Sequence, residues 1–399
     1  MKRSWLWVGA VLLVAAVGLG WAVRQWGGRV NGISKQVFDP SGGKCQGKGL
    51  VMFGTSVFEL KKLATILPMG GMIYDHVTPI DHGYMFGVGT PNIPPDTFGI
   101  YAPANGYVVE MARMLRGGKE TFVDHILTIE FSCTHYLHLS NMSSFAPRLI
   151  QEAGVVVPNS TRPVRIPVLE GELIARTGPY GIDVYVWDKD VKLTGYIVPE
   201  HYNAESWKLH SADFFNYVKE PLKSQLLAKN LRQASPRFGK IDYDIDGKLI
   251  GNWFKVGTYG YAGRPPSEPG GGDYWRGHLA FAPDYLDPTG FVVSIGNWQG
   301  QPKQFAVKGN TPHPKNISVS SGVVKYELVQ PDHVVASTGE FWDRRTYVKG
   351  LRFTPNERAF GGVLLVQLVA PRQLKIEMFP GKAANQVSGF SQAAIMYER

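Results

Sequence analysis

His76-Val77-Thr78-Pro79-Ile80-Asp81-His82-Gly83 and Thr134-His135-Tyr136-Leu137-His138-Leu139-Ser140 are the two phrases on which the reading of this chain turns. Five of the ten histidines fall between His76 and His138. Around them, residues 100–111, 125–131, 155–157, 172–176 and 182–187 form apolar or alternating runs of strand length, separated by Gly and Pro. The stretch from Gly71 to Asp188 therefore reads as a β domain carrying a site or the remains of one. Taken singly, each histidine is better explained as a neutral group satisfying a loop or strand backbone. Only their grouping raises a functional reading.

Toward the N-terminus, Met1-Lys2-Arg3 precedes an uncharged run from Ser4 to Val23, with Trp5, Trp7, Trp21 and Trp26 near its ends. About 20 apolar residues suffice to cross a bilayer, and Trp favours the interfaces. The run is longer than the apolar region of a secretory signal and lacks a small-residue cleavage site. It predicts a single-pass membrane anchor over 1–29, with the bulk of the chain periplasmic or extracellular. Residues 30–48 read as a linker and 49–210 as the β domain. Cys45 and Cys133 allow one pairing: a disulfide in an oxidising compartment, or two buried thiols.

Toward the C-terminus, Asp213 to Ala234 carries Phe214, Phe215, Val218, Leu222 and Leu226 at helical spacing, which predicts a connecting helix over 211–235. From 236 to 399 the strand pattern returns, with turns at Asp246-Gly247 and Lys349-Gly350. An antiparallel sandwich or open barrel would pack these strands, and a β-sandwich domain is the expectation. The fold class is thus mainly β, as the 46 Gly, 27 Pro and 12% aromatic residues among 399 also suggest. The net charge of +9 comes from scattered Lys and Arg with no recognition motif, which argues against a nucleic-acid partner.

The order of several words between Gly71 and Asp188 resembles the lysostaphin-type (LytM-like) zinc metallopeptidase domain, a duplicated hybrid motif. Ala102-Pro103-Ala104-Asn105-Gly106-Tyr107-Val108 is similar to its Ala-Pro-x-x-Gly-x-Val segment. Tyr136-Leu137-His138-Leu139-Ser140 matches its Tyr-x-His-Leu-Ser word, and Gly171-Glu-Leu-Ile-Ala-Arg-Thr-Gly178 its Gly-x-x-Ile-Ala-x-x-Gly turn. The departures fall where the chemistry would be. The family's His-Leu-His-Phe-Glu strand, with a catalytic His and a zinc ligand, falls on Gly181-Ile182-Asp183-Val184-Tyr185. Its His-x-Gly-x-Asp falls on Asp81-His82-Gly83-Tyr84-Met85, and Met is a poor zinc ligand.

The resemblance implies a domain that keeps a peptide groove but has lost hydrolysis, binding cell-wall peptide (peptidoglycan) or an envelope protein without a cofactor. No catalytic residue is assigned. The alternative is a zinc-dependent peptidoglycan endopeptidase with non-standard metal ligands His82, His138 and Asp183, with Asp81 and His76 beside them. Such an enzyme needs three protein ligands and an open position for an ionised water. A third reading is glycan binding through Trp253, Tyr259, Tyr261, Tyr274, Trp275 and Trp298, against which stands ordinary aromatic packing. Asp242-Tyr-Asp244-Ile-Asp246-Gly247 imitates an EF-hand start but has Trp253 at the twelfth position, so a turn is expected. Gly270-Gly-Gly272 lacks the rest of a phosphate loop, and no Gly-x-Ser-x-Gly elbow occurs.

Overall fold

The computed structural model describes residues 39–116, 122–264, 273–344 and 346–399. These form two compact units between which the chain passes repeatedly. Residues 39–68, 82–192 and 210–230 belong to the first, and 69–81, 193–209 and 231–399 to the second.

Among the described residues the first unit contains ten strands. They are β1 (Leu63–Leu67), β2 (Gly83–Gly87), β3 (Phe98–Tyr101), β4 (Gly106–Arg116), β5 (Phe122–Glu130), β6 (His135–Met142), β7 (Ser144–Phe145), β8 (Ser160–Val168), β9 (Leu173–Thr177) and β10 (Ile182–Asp188). A seven-stranded sheet runs β1-β2-β10-β6-β5-β4-β8, and a three-stranded sheet runs β3-β9-β7. Every pairing is antiparallel. The period of two explains the larger sheet: Val184, Val186, Leu137, Leu139, Leu127 and Ile129 alternate with polar neighbours and are buried on one face. Removing each such side chain from water stabilises the fold by about 1.5–3 kcal/mol.

The second unit is a closed eight-stranded barrel of β11 (Gly251–Lys255), β12 (His278–Pro283), β13 (Phe291–Trp298), β14 (Gln301–Val307), β15 (Val324–Val335), β16 (Leu351–Ala370), β17 (Gln373–Pro380) and β18 (Ile395–Glu398). Neighbours in sequence are neighbours in the barrel, and Phe254–Lys255 pairs with Tyr397–Glu398 to close it. That closure corrects the expected sandwich. The strands alternate as anticipated, but the two edges meet, which leaves no exposed edge to guard. Alternate residues, among them Trp253, Leu279, Phe281, Val293, Ile295, Tyr326, Leu364 and Ile376, fill the interior. An eight-stranded barrel is narrow enough for side chains to fill it.

The connecting helix over 211–235 is also corrected. The segment forms a 3₁₀ turn at Phe214–Tyr217, capped by Asp213, and a short helix at Leu222–Leu227. Pro221 stands between them, and a proline with no N–H cannot carry one helix through the segment. A further helix spans Pro147–Ala153. Among the described residues no helix is long and apolar enough to cross a membrane. The single-pass membrane placement is therefore withdrawn, and the expected anchor at Ser4–Val23 lies outside the described residues, as does Gly270–Gly272.

Candidate functional site

One face of the seven-stranded sheet is apolar and the other carries a polar row. Register places Tyr185 opposite His138, His138 opposite Thr128 and Thr128 opposite Glu110. Residues opposite one another share a face, so four strands contribute to one line of side chains. A bulge in β4 between Val108 and Glu110 brings Glu110 onto this face beside Tyr107. Parallel to that row, Asp183 stands opposite both Ser140 and Tyr84.

The Thr128 hydroxyl donates to Glu110 Oε1 (3.3 Å) and lies 2.9 Å from His138 Nδ1. With its hydrogen directed at Glu110, Thr128 accepts from a protonated Nδ1, which fixes the His138 tautomer. The imidazole stacks on Trp187 at 4.7 Å and meets the edge of Tyr185 at 5.0 Å. Burial pushes the Glu110 carboxyl up to about 7, against the Thr128 hydrogen bond that favours its ionised form. Burial, with the Asp183 charge adding to it, holds Asp124 up at about 6 even though Arg116 binds it.

Of the candidate metal ligands, the structure brings His82 to Asp183, with Nε2 3.8 Å from Oδ2. His82 Nε2 also lies 3.1 Å from the Tyr84 hydroxyl. Asp183 is 6% exposed, and both its oxygens accept hydrogen bonds, Oδ2 from Ser140 Oγ and Oδ1 from Asn141 Nδ2, each at 2.8 Å. His138 turns to Thr128. Among the described residues no group of three or more His, Cys, Asp or Glu side chains is arranged to hold a metal ion. The donors present do not fit a three-ligand zinc site.

The backbone sharpens this. Gly181 has φ +69°, and a Cβ there would lie 2.5 Å from the Met85 carbonyl oxygen. The position is built for glycine. Asp81 and His76 lie in the second unit, where Asp81 pairs with Lys208. His135 is a core histidine: its Nδ1 accepts from the Val51 N–H (3.3 Å), its ring packs on Phe53 and Tyr217, and burial lowers its pKa to about 4.

A strap from Asp39 to Val51 runs over the polar face. The Cys45–Cys133 disulfide fastens it. Beside the bridge, the Cys133 N–H donates to the Gly47 carbonyl, Ser132 Oγ to the Gly49 carbonyl, and the Gln46 N–H to Glu130 Oε1. Between strap and sheet lies a groove of about 780 Å³, whose lining includes Asp39, Lys44, Glu110, Pro163 and Arg165. Arg165 pairs with Glu130 at 3.2 Å and stands 4.2 Å over the Tyr107 ring. Sequence reading missed Glu110, Thr128, Asn141 and Arg165, none of which stands in a quoted motif.

Half of the aromatic group proposed for glycan stacking is interior. Trp253, Tyr261 and Trp298 are buried, and Tyr259 is exposed. The acidic run at 242–246 is divided among cations: Asp242 meets Lys240, Asp244 lies 3.9 Å from Arg399, and Asp246 binds Arg372. It forms no ion cage. Comparison with known protein families, with curated proteins and with solved structures yields no match to this chain.

Proposed function

We propose that the first unit is a LytM-like domain that binds an extended peptide of cell-wall type and does not cleave it. The observation that carries this reading is Gly181: a left-handed glycine pressed against the Met85 carbonyl stands where hydrolysis would need a histidine. Loss of catalysis is then part of the backbone and not a single reversible substitution. The donors that remain are engaged with one another, Asp183 with Ser140 and Asn141, and His138 with Thr128. Such a domain keeps its shape while losing its metal-activated water, because fold and chemistry separate readily.

The groove beside Asp39, Lys44 and Arg165 offers both signs of charge, which suits a zwitterionic extended peptide. β8, the strand lining it, carries Pro163 and Pro167, so a peptide would be held by side chains and not as an added strand. The test is titration calorimetry of the full chain, purified without chelator, with zinc and with a soluble wall peptide. We expect no stoichiometric zinc, peptide binding, and a several-fold weaker affinity in Lys44→Ala and Arg165→Ala. Stoichiometric zinc lost in Asp183→Ala would replace this reading with the hydrolase, and the absence of peptide binding would end it.

A further inference from the structure

The second unit contains a buried charge cluster that serves neither the groove nor the barrel interior. Lys208 Nζ lies 3.1 Å from Asp81 Oδ1 and 3.1 Å from Glu205 Oε2. The other Asp81 oxygen, Oδ2, accepts from the Trp207 indole N–H at 3.0 Å. The three charged residues are 1–3% exposed. Aromatic side chains enclose them: the Tyr261 ring is 4.8 Å from the Lys208 nitrogen, and Tyr274 packs on Tyr261 at 5.6 Å. Desolvating ions costs several kcal/mol each, so a buried amine between two carboxyls is a costly way to hold a fold.

We propose that Lys208 and Asp81 condense to an intramolecular isopeptide bond, with Glu205 as the acid–base group and the Trp207 N–H as the oxyanion donor. The amine and carboxyl are held in contact, which replaces a bimolecular encounter by a high effective concentration. Glu205 Oε2 lies 3.1 Å from the Lys208 amine, within reach of the proton that the amine must lose, and burial raises its carboxyl against the pull of Lys208.

Lys208 passes a proton to Asp81, giving a neutral amine and a carboxylic acid. The amine nitrogen attacks Cγ, and the C=O electron pair moves onto Oδ2, where the Trp207 N–H meets the growing charge. Glu205 gives its proton to the hydroxyl on Cγ and takes one from the nitrogen. The C–O bond breaks, one water leaves, and Glu205 ends protonated as it began. No electron acceptor or other reactant is needed. The product removes one positive and one negative charge from the interior, which relieves the desolvation cost that the ion pair carried.

The bond would join residues 69–81 to 193–209, the two stretches in which the chain leaves the first unit and returns to it. It closes a ring containing all of residues 82–207, and cross-links that close long loops restrict the unfolded chain most.

The measurement is the intact mass of the full chain after reduction and denaturation, followed by tryptic fragmentation. We expect a mass one water below that of the sequence and a branched peptide joining residues 63–113 to residues 193–219, uncut after Lys208. Fragmentation distinguishes this from dehydration of a single aspartate, which leaves the two peptides separate. Lys208→Arg keeps the cation, and Glu205→Gln keeps both reacting groups; each is expected to show the full mass. A wild-type chain at full mass after prolonged incubation, or a water lost without the branched peptide, would overturn the proposal. A branched peptide formed unchanged in Glu205→Gln would overturn the role given to Glu205.

Discussion

The barrel interior and the polar face of the seven-stranded sheet are built from the same alternation, yet they spend it in opposite ways. In the barrel, alternate positions turn inward and fill the space with Trp253, Phe281, Val293, Tyr326 and Leu364. In the sheet, the set facing away from the core is His138, Thr128, Glu110 and Asp183, held by hydrogen bonds in place of close packing. The first arrangement presents only apolar packing, whereas the second sets titratable and hydrogen-bonding groups side by side. On the proposed reading the barrel acts as scaffold and the sheet carries the recognition.

The largest effect that tests this contrast is Trp253→Ala. The indole is fully buried, donates from Nε1 to the Leu249 carbonyl at 2.8 Å, and lies under the Arg399 guanidinium at 3.9 Å. Removing a large core aromatic costs about 3–5 kcal/mol, to be read from the urea midpoint of unfolding. Peptide affinity of the folded fraction should stay unchanged. A loss of affinity equal to that of the groove variants would break the division between scaffold and site.

Gly181→His is the next in size, and it asks whether the proposed LytM-like reading survives placing at this position the histidine that a hydrolase of that kind would use. A side chain at φ +69° costs on the order of 1–3 kcal/mol before its contact with the Met85 carbonyl is counted. We expect a lower melting temperature and no uptake of zinc, measured by bound-metal analysis of the purified variant. A stable variant that takes up one zinc would show that the polar face is an active site short of one residue.

How far the sequence reveals this molecule depends on range. The strands were legible because alternation is local: Ile182–Asp188 and His135–Met142 follow their apolar periods. The barrel was legible only as strands, because closure rests on pairing Phe254 with Glu398, and nothing in either segment encodes that partner. The helical spacing from Phe214 to Leu226 misled, since Phe214, Phe215, Leu222 and Leu226 are buried from two separate short elements divided at Pro221. At the site, His82 and Asp183 were found by their chemical type, and they meet at 3.8 Å because His82 stands just before β2, the strand that pairs with β10. Glu110 was passed over because a bulge shifts it onto the polar face, and a bulge leaves no mark in the pattern of types. The link between Asp81 and Lys208 was invisible for the barrel's reason: the residues are far apart in sequence.

The smallest predicted effect compares the two units by pH. Glu110 titrates at about 7 in the fold against an ordinary 4.5, so the folded chain holds a proton that the unfolded chain releases. Its contribution is fully present below about 4.5 and is lost as the pH rises through 7. His278, in the second unit, runs the other way: burial lowers it to about 3 from 6.5, so it favours the fold above 6.5 and costs stability as the pH falls toward 3. Because other buried carboxyls, including Asp124 and Asp244, titrate in the same direction as Glu110, the informative quantity is a difference. Unfolding free energies of the wild type and Glu110→Gln, measured by urea titration from pH 4.5 to 8, should diverge. The wild type should lose on the order of 2 kcal/mol relative to the variant across that span. If the difference is flat, Glu110 is ionised throughout, and Thr128 must direct its hydrogen to a carboxylate that water reaches. The His138–Thr128–Glu110 row would then be an open part of the groove, and its histidine would be available to a ligand at neutral pH.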